Sequence, residues 1–272
     1  MKKVAIIGAG ISGLYLANEL NKNTKIDYKI FEKKDFLNLN EGYGIQLSFN
    51  SINLLNKIGF KKISASDVYY PTKVNFFQAN NIKKICEIDL KQFNNVNDRY
   101  TTLKRSTLIK FLLDNIPKEK IQFRADIQNI EYNEKIEISW DNKNESFDYI
   151  VIADGVFSKL KSQISNNHLN PIFNGNIALR ANLKQHEKDN ISVYMGSNFH
   201  YVTYPVNQKL EYNFVAIIKM NLTTKEIEDK NILNSETFIK SLKYFISKNS
   251  IINLESLANI KCFPVFVSTE LP

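Results

Sequence analysis

The sequence predicts an α/β protein: a Rossmann-like half built on a parallel sheet, then a half dominated by antiparallel strands. Three observations predict it. A glycine-rich turn separates a short apolar strand from a helix at the start of the chain. A second apolar run, Tyr149-Ile150-Val151-Ile152-Ala153, ends on Asp154-Gly155 and has the unbroken character of a strand buried in a parallel sheet. Beyond Ser165-Asn166-Asn167 strands multiply and helices become few.

The first element is Lys2-Lys3-Val4-Ala5-Ile6-Ile7, a short buried strand. Gly8-Ala9-Gly10-Ile11-Ser12-Gly13 follows, then a helix from Leu14 to Leu20 with Leu16, Ala17 and Leu20 on one face. Ile26 to Phe31 is a second strand and ends on Glu32. This is the βαβ glycine fingerprint of a Rossmann-like domain in its full context of strand, turn, helix and strand. Gly8 makes the turn, Gly10 lets backbone approach a pyrophosphate, and Gly13 lets helix and strand pack closely. The helix start offers free N–H groups and partial positive charge to phosphate. Glu32 stands where the ribose-binding acid belongs, and an acid there favours FAD or NAD over NADP. The competing reading, a secretory signal with Lys2 and Lys3 ahead of an apolar run, is disfavoured because three glycines would weaken a signal helix.

The rest of the chain reads in order. A polar loop runs from Lys33 to Glu41, and a helix from about Asn50 to Ile58 carries Leu54, Leu55 and Ile58 before Gly59. Strands at 74–79 and 82–88 meet near Asn80-Asn81. A helix at 106–115 carries Leu108, Phe111, Leu112 and Leu113. Strands follow at 121–123, 127–132 and 136–140, with a turn over Asp141–Asn144. The later strands are expected at 177–183, 191–195, 200–205, 212–218 and 260–267. A helix at 235–247 carries Phe238, Leu242, Tyr244 and Phe245. The expected division is a nucleotide-binding domain over 1–165, with a β excursion at 68–100, and a β-rich substrate domain over 166–272.

Composition narrows the function classes. The 272 residues are 43% hydrophobic, with 18 Phe and 13 Tyr, enough for a globular core. No apolar run is long enough to span a membrane, so no integral membrane contact is expected. Cys86 and Cys262 are far apart and read as reduced thiols of a cytoplasmic protein. His168, His186 and His200 lack ligand spacing, and no metal site is expected. The net charge of +8 comes from scattered lysines and not from a nucleic-acid-binding module.

Four segments occur in a telling order: Gly8–Leu14 with Glu32, Gly44-Ile45-Gln46-Leu47-Ser48, Arg105-Ser106-Thr107-Leu108, and Ile152-Ala153-Asp154-Gly155-Val156-Phe157-Ser158. Together they resemble the single-component FAD-dependent aromatic-ring hydroxylases, the para-hydroxybenzoate and salicylate hydroxylase family. The resemblance is specific from Met1 to about Ser162 and looser beyond. It implies that Gly8, Ala9, Gly10, Ile11, Ser12 and Gly13 cradle the FAD pyrophosphate and that Glu32 holds the adenosine ribose. It implies that Gln46 passes the flavin, that Arg105 contacts FAD, and that the backbone of Ile127 lies near adenine. Asp154 and Gly155 match a motif used for both FAD and the nicotinamide donor. Arg180 matches a segment entering the substrate domain, where an ion pair and a ligand contact are equally open.

The implied activity is that of a monooxygenase. NADH or NADPH reduces FAD, O₂ forms a flavin hydroperoxide, and one oxygen atom passes to a small, aromatic or otherwise unsaturated substrate. No side chain is assigned an acid–base role. Phe199, Tyr201 and Tyr204 suit a substrate pocket or core packing equally. Two departures stand out. None of the nine glycines precedes an aspartate, so the family's Gly-Asp motif is missing and a C-terminally truncated chain is expected. Lys161 stands where the family has arginine, which keeps charge but not forked geometry. Two other readings stay open: a flavin-dependent reductase without oxygenation, and a non-catalytic nucleotide-binding fragment.

Overall fold

A computed structural model describes residues 1–39, 43–95, 98–165, 170–183, 189–209 and 211–268. Glu41 and Gly42, the expected boundary residues Asn166 and Asn167, His168 and His186, and the end Thr269–Pro272 lie outside the described residues. The chain forms two compact units. One contains Met1–Glu41, Ser106–Ile172 and Phe266–Pro272; the other contains Gly42–Arg105 and Phe173–Val265. The chain therefore passes between units more than once, where the sequence reading drew a single boundary at 165.

The first unit is built on a four-stranded parallel sheet. Strand β1 (Lys2–Ile7) is followed by helix α1 (Ile11–Leu20) and strand β2 (Ile26–Glu32). The order across the sheet is Tyr149–Ile152, β1, β2, Ile121–Phe123. Ile7 is level with Phe31 on one side and with Ile152 on the other. The carboxyl ends of these three strands therefore lie side by side, and the loops leaving them share one edge of the sheet.

One face of that sheet packs on a three-stranded antiparallel sheet, Asn129–Tyr132, Ile136–Trp140 and Lys143–Phe147. Ala5, Ile7 and Phe31 meet Ile130, Ile138, Trp140 and Phe147 in one buried cluster. The Phe31 ring sits edge-on to Trp140 at 5.0 Å and to Phe147 at 5.7 Å, the arrangement aromatic pairs prefer. The expected four-residue turn is shorter: Asp141 and Asn142 both take positive φ, and strand pairing resumes at Lys143. Two central residues with positive φ give the turn whose twist matches a hairpin.

Two expectations for this unit are corrected. The buried residues of α1 are Gly13, Leu14, Ala17 and Asn18, not the Leu16 and Leu20 face. Close packing at Gly13 turns that row inward. Asn18 survives burial because its Nδ2 donates to the carbonyls of Leu14 and Leu112, each at 2.8 Å. The Tyr149–Ile152 strand is not central among the described residues. It pairs only with β1, and Tyr149 and Val151 are exposed. Its apolar run signals a parallel strand correctly but does not reveal which edge stays unpaired.

The second unit carries a seven-stranded sheet. Its order is Leu257–Val267, Ile172–Leu183, Tyr212–Lys219, Phe199–Pro205, Ile191–Met195, Lys73–Gln78, Lys84–Asp89. The pairs from Ile172–Leu183 to Ile191–Met195 are antiparallel, whereas Ile191–Met195 runs parallel to Lys73–Gln78. The excursion at 68–100 thus supplies two strands to this sheet. The helix Glu236–Asn249 covers one face, burying Leu242 and Ile246 against Ile177, Leu179, Ala181 and Phe214. Tyr244 of the same helix is 68% exposed. Helix Phe49–Lys57 buries Ile52 and Leu55, while Leu54 faces outward. A small sheet of Gly44–Leu47, Thr101–Lys104 and Val68–Tyr69 completes the unit.

Candidate functional site

The shared edge of the parallel sheet brings together three stretches far apart in sequence: the glycine turn after β1, Glu32 at the end of β2, and Asp154 beyond Ile152. The glycines have different reasons to be there. Gly8 has φ +104°, and a Cβ on it would lie 2.6 Å from the Ala153 carbonyl oxygen. A Cβ on Gly13 would lie 2.0 Å from the Gly8 carbonyl oxygen. Both are required by the protein itself. Gly10 is not. Its φ is −76°, and a Cβ there would meet nothing nearer than Ala153 oxygen at 4.0 Å.

Gly10 is also the N-cap of α1. No side chain caps this helix, and its first turn holds no acid. The N–H groups of Ile11, Ser12 and Gly13 begin the helix, where no preceding carbonyl is in register to receive them. Ser12 is exposed and Ile11 half-buried. An anion placed here gains roughly 0.3–1 kcal/mol from the helix dipole, more when partly buried.

Glu32 is 8% exposed. One carboxylate oxygen accepts from the Ala9 N–H at 2.9 Å, the other from the Lys34 N–H at 3.0 Å. The carboxylate thus pins the glycine turn from behind, and each oxygen retains further acceptor capacity. The segment beyond it is joined by backbone: Ala125 N–H donates to the Glu32 carbonyl at 3.0 Å. Ile127, two residues on, buries its side chain in the core beside Ala125 and Phe31, leaving only its backbone for any ligand.

Asp154 carries a different signal. Its Oδ1 is buried and has no hydrogen-bond partner among the described residues. A buried unmet acceptor costs about 1–3 kcal/mol unless something donates to it. Neighbouring Gly155 is exposed, with open space where a side chain would project. Ser158 Oγ, in the same loop, is likewise buried and unmet.

The remaining expected site residues lie in the second unit. Arg105 is exposed, and its backbone N–H donates to the Tyr43 carbonyl at 2.9 Å. Gln46 is half-buried: its Oε1 accepts from the Tyr100 hydroxyl at 2.8 Å, and its side chain also bonds the Tyr204 hydroxyl. Burial pushes Tyr204 well above the ordinary tyrosine value, offset in part by Arg180 and by Gln46. Gly44 makes room for this group, since a Cβ there would fall 2.8 Å from the Tyr204 ring and 2.6 Å from Asn213 Cβ. Strand alternation separates the three aromatics of one strand. Phe199 and Tyr201 stack into the core with Tyr194 and Phe214, while Tyr204 turns to the opposite face. Sequence reasoning did not single out Tyr100 or Asn213; both act through partners remote in sequence, and no local pattern marks them.

Among the described residues no group of His, Cys, Asp and Glu could hold a metal ion, and no helix is long and apolar enough to cross a membrane.

Comparison with known proteins agrees with this geometry. Residues 6–40 match the model of an NAD(P)-binding Rossmann-like domain. The chain is 29% identical over 177 residues to an FAD-dependent monooxygenase of Metarhizium robertsii, covering 60% of this chain and 52% of that protein. It is 23% identical over 237 residues to a salicylate hydroxylase of Pseudomonas putida, covering 79% and 54%. The matches thus span about half the length of these curated relatives. In fold, the chain is similar to HpxO of Klebsiella pneumoniae solved with FAD and uric acid, at TM-score 0.77, 16% identity and coverage of 97% and 68%. It is also similar to a salicylate hydroxylase substrate complex, at TM-score 0.74, 16% identity and coverage of 100% and 70%. At such identities these two likenesses speak for the fold alone.

Proposed function

We propose that the first unit binds FAD and that the chain forms the flavin-binding and substrate-binding parts of an FAD-dependent monooxygenase fed by NADH or NADPH. The observation that carries the reading is Gly10. The fold does not need glycine there, so its missing side chain is explained by a group approaching from outside, against an uncapped helix start. The unmet Asp154 Oδ1 beside it fits a ligand that also carries hydroxyl or N–H donors. A dinucleotide offers both.

In this reading the amides from Gly10 to Gly13 take the pyrophosphate, with Ala9 held in place by Glu32. Glu32 accepts from the ribose hydroxyls with the lone pairs its backbone bonds leave over. Ile127 presents backbone toward adenine, and Asp154 and Gly155 receive the donor-bearing part of the coenzyme. Arg105 belongs to the second unit; exposed and permanently charged, it carries planar donors of the kind that suit phosphate. Gln46 is held in place by Tyr100 and Tyr204 within the second unit. Bound FAD would supply the redox and oxygen chemistry. The chain's own residues bind, orient and exclude water, and none is assigned a proton-transfer step. The relatives named as FAD-dependent monooxygenases and salicylate hydroxylase support this reading over a reductase on the same scaffold.

The test is reconstitution. The chain mixed with excess FAD and passed through gel filtration is expected to retain about one flavin per chain, and product analysis is expected to find oxygenated product coupled to NAD(P)H oxidation. A folded but colourless protein would reject the flavin site. Flavin retention with NAD(P)H oxidation and no oxygenated product would favour the reductase.

A further inference from the structure

One residue of the second unit sits in a backbone conformation that its own side chain resists. Ile82 has φ +56°. A β-branched residue is a steric outlier in that left-handed region, where glycine or asparagine fits. The hairpin does not ask for isoleucine there. Its N–H donates to the Gln78 carbonyl at 3.0 Å, a bond any residue but proline makes, and its side chain is 41% exposed. Strain of this kind persists where the side chain serves another purpose.

That side chain borders a cavity of about 190 Å³, lined also by Leu183, Tyr194, Tyr201, Thr203, Ile252 and Ser256. Leu183, Tyr194 and Tyr201 belong to the core on the side of the sheet covered by helix Glu236–Asn249. Tyr204 turns to the opposite face, so the cavity is separate from the group around Tyr204 and Gln46.

The chemistry of the cavity is narrow. Among the described residues no charged side chain lines it, and an ion there would give up its hydration without a partner. The walls are preformed: the Tyr194 and Tyr201 rings stack at 4.5 Å, and Phe77 extends the stack from Tyr194 at 5.2 Å. The remaining polar groups are mostly hydroxyls. Ser256 Oγ already donates to the Asn253 carbonyl at 3.0 Å, so what it retains is acceptor capacity. A cavity of roughly 150 Å³ holds benzene, so this one has room for a six-membered ring with a substituent.

We propose that this cavity is a second ligand site, that it takes a small neutral alcohol with a compact hydrocarbon body, and that Ile82 is held in its strained conformation to close over the ligand. The hydrocarbon lies against Leu183, Ile252 and the tyrosine rings, and the hydroxyl donates to Ser256. Thr203 in the wall and Tyr204 are consecutive residues facing opposite sides of the sheet, so the ligand is placed as an effector. The site does not rest on the flavin reading.

The test measures binding to the full chain by ligand-detected NMR, with cyclohexanol, cyclohexanone and cyclohexylammonium as probes. The wild-type chain is expected to bind cyclohexanol, to bind the ketone about fivefold more weakly for want of the donor, and to show no binding of the ammonium ion. Ser256→Ala should erase the preference for alcohol over ketone. Ile82→Gly should weaken cyclohexanol roughly tenfold, the scale of one lost aliphatic contact, while the urea midpoint followed by circular dichroism stays level or rises as the backbone strain is relieved. A wild-type chain that binds none of the probes, or binds the ammonium ion as well as the alcohol, overturns the proposal. So does an Ile82→Gly chain that binds cyclohexanol like wild type, or one whose urea midpoint falls together with binding, since Ile82 would then be ordinary packing.

Discussion

The glycine turn of the first unit and the sheet face around Arg180 in the second both leave polar groups unmet, but of different kinds. At the turn the unmet groups are of both signs: helix-start amides that donate, and Asp154 Oδ1, which accepts. On the sheet face they are donors only, Arg180 and Asn213 Nδ2. A ligand with phosphates and hydroxyls suits the first, whereas the second presents donors alone. The turn is made of backbone, so its ligand is read mainly by shape and dipole. The sheet face is made of side chains, so its character is set by charge.

Substitutions can break this contrast, beginning with the most damaging. Gly13→Val drives a side chain into the Gly8 carbonyl, with no room for it to move aside. It should cost about 3 kcal/mol or more of stability in the first unit. Trp140 is the chain's one tryptophan and lies in that unit's core, so its fluorescence in a urea titration reports the loss directly. A midpoint unchanged from wild type would show that helix and strand are not packed as described.

Glu32→Ala should come next, at about 2 kcal/mol, because it strands the Ala9 and Lys34 N–H groups. It should also weaken flavin binding. A protein with wild-type stability and weakened flavin binding would reduce Glu32 to a ligand contact alone.

A smaller effect belongs to the second unit and depends on pH. Asn95, Asn53 and Asn56 all donate to the Asp98 carboxylate and hold its pKa below the ordinary aspartate value. A depressed folded-state pKa gives stability that is present above the unfolded value and lost as pH falls through the folded one. Acid should therefore loosen the hold of Asp98 on Asn53, Asn56 and Asn95 only below the usual aspartate range, and Asp98→Asn should flatten that dependence. Hydrogen exchange of the second unit across that range would show it; an identical acid profile in the variant would contradict the assignment.

Much of the first unit is legible in sequence because its logic is local. The spacing of Gly8, Gly10 and Gly13 between two apolar runs specifies strand, turn and helix, and Glu32 follows at a fixed remove. The inward face of α1 is less legible: Leu16 and Leu20 look as apolar as Leu14, and only the approach at Gly13 decides which row turns inward. The second unit resists reading for a different reason. Its polar face draws Gln46, Tyr100, Arg180, Tyr204 and Asn213 from four strands and one loop, joined only by long-range pairing. Alternation in Phe199–Pro205 separates Tyr201 from Tyr204, yet nothing local says which face meets helix Glu236–Asn249. The parallel pairing of Lys73–Gln78 with Ile191–Met195 is equally invisible, since the partners lie more than a hundred residues apart.

The most direct test of the central claim is Gly10→Val, the gentlest substitution for the fold and the harshest for the ligand. Flavin retention and the Trp140 urea midpoint would be measured on the same sample. The account predicts a stability within about 0.5 kcal/mol of wild type together with loss of bound FAD. Full flavin retention, or a loss of stability that accounts for any loss of flavin, would contradict it.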